Sequence, residues 1–507
     1  MTSRDTRRWW ALGAISLAVL AITLDVTVLS LALPTLAGVF KASESQLQWF
    51  VTAYTLALVA GMLPAGLLGD RFGQKALMVA ALLLFAVGSL GCAYAPDAAV
   101  FIAARIVVAL AGAAAIVVAL SVLTLLFNEE ERPRAVGIWG AANFVGLPLG
   151  PIIGGWILSH AWWGWIFLMN VPVAILAVLA VLWLVPRSKP GPRQGFDLFG
   201  LLLASAGLVA MMYGVIKAGT SGWGSADALV PVGVGVVLLA LFALWEGHVT
   251  RRPDGQPLVD LSLFQSRSFT WGVILTALGT LGLFGVLFGL PQFLQAIEGI
   301  GPEATGVRLL PVIVGMILGA VPADRVAAKI GARFTVAAGF AVVVLGSALG
   351  GAMTVSSGQS YIAVWTFIVG IGAGLGFATA ASAAIVEIPQ ERSGVGSALL
   401  QAVVKLGPAF GSSLLGSVMN AAYQGQVDVS GLPAAAATVV KASVFGGIAV
   451  AREVGSNALL LSIEKAFVAG MDQAMLATAG IAAAAVILAL VFLPARRQRA
   501  AAMEQAK

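Results

Sequence analysis

Three charged residues stand inside long apolar runs: Asp25, Arg105 and Lys405. A charge held at membrane depth is costly, so each is a functional hypothesis by default. A carboxyl in hydrocarbon is expensive as an anion, and a proton removes that charge, so Asp25 is a candidate for loading and releasing protons. The bland alternative is a structural partner for a nearby base. At about 1.5 Å of rise per residue, Arg105 sits roughly 9 Å inside one boundary of its run and Asp25 roughly 12 Å inside the same boundary. The two depths predict that both side chains face one cavity and pair; a purely structural arginine is the alternative. Lys405 lies midway along its run and either faces the cavity or snorkels. Glu246 and Glu387 fall near the ends of their runs and read as interfacial.

These residues require apolar elements to carry them. Of 507 residues, 60% are hydrophobic and 10% charged, against about a quarter charged in a soluble domain. Lipid is therefore the expected solvent. Runs of about 20 apolar residues, the length of a membrane-crossing helix, lie near 10–36, 46–69, 76–95, 99–127, 134–158, 163–186, 198–217, 227–246, 268–293, 304–322, 333–353, 361–387, 393–420 and 473–494. Period-2 alternation is missing, so helices are expected. The stretch 10–36 follows Arg4, Arg7 and Arg8 but is too long for a signal-peptide core, and reads as the first anchor. With the N-terminus inside, twenty-one of the 29 basic residues fall on the inner side, including the Arg496–Arg499 cluster. That bias favours an even number of spans with both ends cytoplasmic. The segment 421–472 carries Lys441, Arg452, Glu453, Glu464 and Lys465 and reads as a long outer loop with amphipathic pieces; a hairpin dipping into the membrane is the alternative.

An internal repeat is visible. Gly69-Asp70-Arg71 with Lys75 recurs as Ala323-Asp324-Arg325 with Lys329, and Gly150-Pro151 with Gly154 recurs as Gly407-Pro408 with Gly411. The chain reads as a six-helix unit over 1–190, two inserted helices over 191–260 and a second six-helix unit over 261–507. Such duplicated bundles enclose a substrate path at their interface. Gly66 and Gly73 allow a tight turn around Asp70, Arg71 and Lys75, where an ion pair can break as the bundles rock. A simple topological marker would explain Arg71 and Lys75 but not the repeated Asp-Arg. The fifth run carries Gly146, Pro148, Gly150, Pro151, Gly154 and Gly155, a spacing that lets helix backbones approach and bend; generic packing is the alternative.

Here the chain resembles the major facilitator superfamily. The loop around Asp70 looks like its signature, with Gln74 where a basic residue is usual; the resemblance implies a conformational gate, with Asp324 and Arg325 as its second copy. The fifth-run pattern resembles the antiporter motif of drug exporters. Leu24-Asp25-Val26-Thr27 followed by Ala32-Leu33-Pro34 resembles the first-helix motif of fourteen-helix drug:proton antiporters, in which the matching aspartate serves coupling and cation recognition. Arg105 matches a fourth-helix proton-transfer arginine, though Val108 and Ala109 replace the usual Gln and Gly. Antiporters of this type often have arginine where Lys405 stands. The implied protein is an all-α membrane protein with fourteen transmembrane helices that exports hydrophobic, often cationic, small molecules in exchange for protons. On that reading Asp25 serves proton and cation alternately.

Trp49, Tyr54, Trp139, Asn143 and Phe144 are candidates for an aromatic cavity that would hold a cation, with Gln292, Gln295 and Lys405 as polar contacts; packing or interfacial anchoring is the alternative for each. The Gly370–Gly376 run has no nucleotide-loop spacing, and no Gly-Lys pair exists for a P-loop, so no cofactor is expected and ATP does not drive the protein directly. The basic residues form no stripe with aromatics, so nucleic acid is not an expected partner. The single Cys92 allows no intrachain disulfide, and His160 and His248 have no partner at ligand spacing, so no metal site is expected. Import by symport, export or flipping of a lipid or endogenous metabolite, and a membrane enzyme are the competing readings. The fifth-run motif argues against symport, and the lack of a polar catalytic cluster argues against an enzyme.

Overall fold

The computed structural model describes residues 3–42, 44–128, 131–186, 197–251, 261–386 and 393–494. Glu387, Arg187, Lys189, Arg193, Arg252, Arg392 and the Arg496–Arg499 cluster lie outside them, as does the expected boundary at 190. Among the described residues every regular element is helical. The helices are α1 (Ser3–Phe40), α2 (Glu44–Phe72), α3 (Gln74–Ala93), α4 (Ala98–Leu126), α5 (Arg132–His160), α6 (Trp165–Leu168), α7 (Asn170–Leu184), α8 (Leu198–Ser221), α9 (Ala226–Thr250), α10 (Arg267–Gln292), α11 (Pro302–Arg308), α12 (Leu310–Ala320), α13 (Ala323–Ile330), α14 (Ala332–Gly350), α15 (Gln359–Val386), α16 (Ser393–Gln426), α17 (Ala434–Ala442), α18 (Val444–Val454) and α19 (Asn457–Phe492). Twelve are long and apolar enough to cross a membrane, or thirteen spans if α11–α12 and α13, bent by 45°, count as one. The chain is thus a multi-pass membrane protein. The fourteenth expected run is α5, whose 29 residues would extend about 43 Å.

Short turns join antiparallel neighbours, as in helical bundles generally. Gly88 of α3 faces Val108 of α4, and Gly91 faces Ala104. We call the end where α1 begins the proximal face and the other end the distal face. On the proximal face, basic side chains satisfy the free carbonyls that end α7: Lys75 Nζ donates to Leu182 O and Val185 O at 2.7 Å, and Arg7 donates to Trp183 O at 2.7 Å. Arg8 pairs with Glu131 at 2.7 Å.

The proximal half of the interface is closed. One apolar core, reaching from Ala11 of α1 to Val273 of α10, also takes in buried residues between 381 and 404 of α15 and α16. A Cβ on Gly137 would meet Ala320 O at 3.0 Å, and one on Gly140 would meet the Phe377 ring at 2.8 Å. Helix α8 is tied to both α2 and α16: Ser205 donates to Ala60 O at 3.3 Å and Ser413 donates to Val215 O at 2.8 Å.

The expected long loop over 421–472 is shorter. Helix α16 runs to Gln426 and α19 starts at Asn457, leaving a small helical hairpin of α17 and α18. Glu464 and Lys465 do not end α19 because they sit on one side of it, while Ile463, Phe467 and Met471 are buried on the other. Tyr423 OH donates to Val440 O at 2.8 Å and fixes the hairpin to α16.

Candidate functional site

Asp25 and Arg105 come together. Their side chains form a salt bridge at 0% and 1% exposure. The second carboxylate oxygen of Asp25 accepts from Asn170 Nδ2 at 3.1 Å, and the same nitrogen reaches Ser89 Oγ at 3.5 Å. Asn170 lies where α6 runs on into α7, with Met169 keeping helical angles (φ −61°, ψ −23°) between Leu168 and Asn170. The expectation of one span over 163–186 holds, as Trp165–Leu184, but the sequence alone does not single out Asn170. The guanidinium of Arg105 lies 4.2 Å from the centroid of the Tyr54 ring and 6.0 Å from that of Phe167. Such a desolvated cation–π contact contributes about 2 kcal/mol. The Tyr54 hydroxyl and Arg105 Nε have no hydrogen-bond partner among the described residues.

The pair is held by close packing of α1 on α5. A Cβ on Gly146 would lie 2.8 Å from Thr23 Cβ, one on Gly150 2.7 Å from Thr27 Cβ, and one on Gly154 2.8 Å from Val28 Cγ1. Thr27 Oγ1 donates across the contact to Gly146 O at 3.2 Å. The glycine run therefore sets how deeply α1, and with it Asp25, sits in the first half. Gly155 is half-buried on the same helix. The side chains of Pro148, Pro151, Asn143 and Phe144 lie outside the described residues.

A cavity of about 350 Å³ lies between the halves, lined from α1, α2, α4, α5, α8, α10, α15 and α16. Tyr54, Trp139 and Lys405 line it; Asp25 and Arg105 do not. Tyr54 touches both places, so its ring stands between the ion pair and the cavity. Met212 and Ile216 of α8 also line it and were not singled out from sequence. Trp49 is 44% exposed and lines neither this cavity nor its neighbour. The neighbouring cavity, about 560 Å³, lies distally beneath the hairpin and shares Ser412 with the first. Gln292 lines that second cavity, with Nε2 bonded to Phe288 O at 3.0 Å, while Gln295 sits in a wide helical turn after α10 and lines neither.

The expected gate differs between its copies. Gly73 adopts φ 92°, a left-handed backbone that favours glycine, and turns α2 directly into α3. Asp70 accepts from Gln74 Nε2 at 2.9 Å, Arg71 is exposed, and Gly66 is buried in α2. In the second copy Asp324 and Arg325 open helix α13, and the turn comes later, at Gly331 with φ 88°. Glu246, expected at the interface, is fully buried against the start of α8: a Cβ on Gly200 would lie 2.8 Å from its Oε1.

The Major Facilitator Superfamily matches residues 15–412. The chain is 30% identical over 500 residues to the multidrug efflux pump LfrA of Mycolicibacterium smegmatis, covering 97% of each. It is 30% identical to the tetracenomycin C resistance and export protein of Streptomyces glaucescens, over 96% of this chain and 91% of that one. Among solved structures, the proton:xylose symporter XylE superposes with a TM-score of 0.62 at 15% identity, over 97% of each chain. The chain belongs to the Major Facilitator Superfamily and is a membrane transporter, not an enzyme.

Proposed function

We propose that the protein is a fourteen-span antiporter that exports hydrophobic drug-like molecules across the cytoplasmic membrane by alternating access, in exchange for protons, with both termini cytoplasmic. Relatives named as multidrug efflux and antibiotic export proteins support export. The excess of basic residues at the proximal face supports the orientation. The observation that carries the coupling is the buried Asp25–Arg105 pair with one face of Arg105 on Tyr54, a wall of the central cavity.

Breaking a buried pair by removing one partner costs about 3–5 kcal/mol. Protonation of Asp25 removes the negative partner, so Arg105 must find another environment, and its stack on Tyr54 moves with it. Tyr54 in turn shapes the cavity. Proton and substrate are thus linked through one aromatic ring. Direct competition for a single carboxylate, the scheme drawn from sequence, fits less well because Asp25 is paired and screened from the cavity. The gate at Asp70 and the glycine contacts of α5 serve the rocking of the halves.

Inverted membrane vesicles test this. Asp25→Asn should abolish uptake of a fluorescent dye driven by an imposed proton gradient; because it leaves Arg105 buried without its partner the variant should also be less stable, so rates are compared at equal amounts of inserted protein. Gradient-driven uptake at the parental rate would remove Asp25 from the coupling.

A further inference from the structure

We propose that Lys405 makes the central cavity an anion-selecting site, suited to apolar molecules that carry one carboxylate or sulfonate. The inference rests on reading the cavity as the substrate site and adds its charge preference.

Among the described residues that line the cavity, Lys405 is the one charged side chain. It has no ion pair or hydrogen bond with any other described residue. The acidic group of the first half is unavailable, since Arg105 and Asn170 occupy both oxygens of Asp25. An ammonium group among uncharged walls lacks a counterion, and a ligand anion supplies one. A cationic ligand would instead meet like charge.

The remaining lining suits such a ligand. Gln401 precedes Lys405 by one helical turn on α16 and faces the same space. Ser412 lies farther along the same helix, and Ile22, Trp139, Phe284 and Phe377 offer apolar surface for the body of the molecule. Lys405 is also firmly carried. Gly407 and Gly411 bring α16 against α10, where added Cβ atoms would lie 3.1 Å from Thr280 Cβ and 3.3 Å from Leu281 Cα. A charge on a tightly packed helix is pre-set for a ligand group.

The test is equilibrium binding to the purified full-length protein in nanodiscs, without a proton gradient, using 9-anthracenecarboxylate, its neutral methyl ester and the matching trimethylammonium compound. The parent protein should bind the carboxylate about ten-fold more tightly than the other two, a difference of about 1.4 kcal/mol. Lys405→Gln should remove that preference while binding the ester within about two-fold of the parent, which also reports an intact cavity. Lys405→Arg should keep the preference and covers the case in which the glutamine variant misfolds. Equal binding of carboxylate and ester by the parent, tighter binding of the cation, or a preference that survives in Lys405→Gln overturns the assignment. Export is read separately, as gradient-driven transport of the ester in inverted vesicles. Transport without a charge preference sinks only the anion site; a preference without transport sinks only the export reading.

Discussion

The α1–α5 contact and the α10–α16 contact are one packing solution used twice, with different chemistry placed beside each. In the first, Gly150 receives Thr27, and Thr27 donates to Gly146 O at 3.2 Å. In the second, Gly407 receives Thr280, and Thr280 donates to Val404 O at 3.4 Å. Glycine removes the side chain that would hold the helices apart, and threonine fills the gap while bonding the partner backbone. Next to the first contact sits a neutralised pair of buried charges. Next to the second sits a lone lysine facing open space. The two contacts share a packing frame and differ in the charges beside it.

The comparison can be broken most forcefully at the charges. Arg105→Leu leaves a buried carboxylate without its base, so the loss of stability should be about 3–5 kcal/mol, read as a large fall in the melting temperature of the purified protein. Lys405→Gln removes a charge that has no partner, and should leave the melting temperature unchanged or raise it. Equal losses from the two substitutions would remove the distinction between the halves.

The frame itself should respond symmetrically. Gly150→Val and Gly407→Val each force bulk into a closed contact, for which overpacking costs about 1–3 kcal/mol. Similar falls in melting temperature are expected from both, and a loss confined to one would show that the contacts are not equivalent. Thr27→Val and Thr280→Val each delete one inter-helix hydrogen bond, so the expected loss is smaller, about 0.5–1.5 kcal/mol. The smallest effect belongs to Tyr54→Phe, which keeps the ring beneath Arg105 and removes a hydroxyl that has no partner among the described residues. Stability and gradient-driven transport should both stay near parental levels, whereas Tyr54→Leu should keep the fold and lose most of the coupling.

Much of the frame could be read in the sequence because lipid imposes a coarse grammar. Charges such as Asp25 and Arg105 stand out in apolar runs, and counting residues from a helix end gives depth because helical rise is constant. Asn170 escaped because an uncharged amide in an apolar run gives no such signal. Met212 and Ile216 escaped for a related reason. Apolar side chains look the same whether they face lipid or a cavity, and only the packing of α8 across both halves separates them. The same ambiguity applies to Trp49, which is exposed and lines neither cavity. Helix α19 starts before the expected 473 because charge on one face of a helix, here Glu464 and Lys465, reads in sequence as a break in the helix.

The central claim is that substrate in the cavity and the proton on Asp25 are linked. The most direct measurement is proton release on substrate binding, followed in weakly buffered solution with a pH-sensitive dye, for the detergent-purified protein and its Asp25→Asn variant. The parent should release protons as ligand is added and the variant should release none while still binding. Equal release from both, or binding by the parent with no release at any pH, would contradict the account.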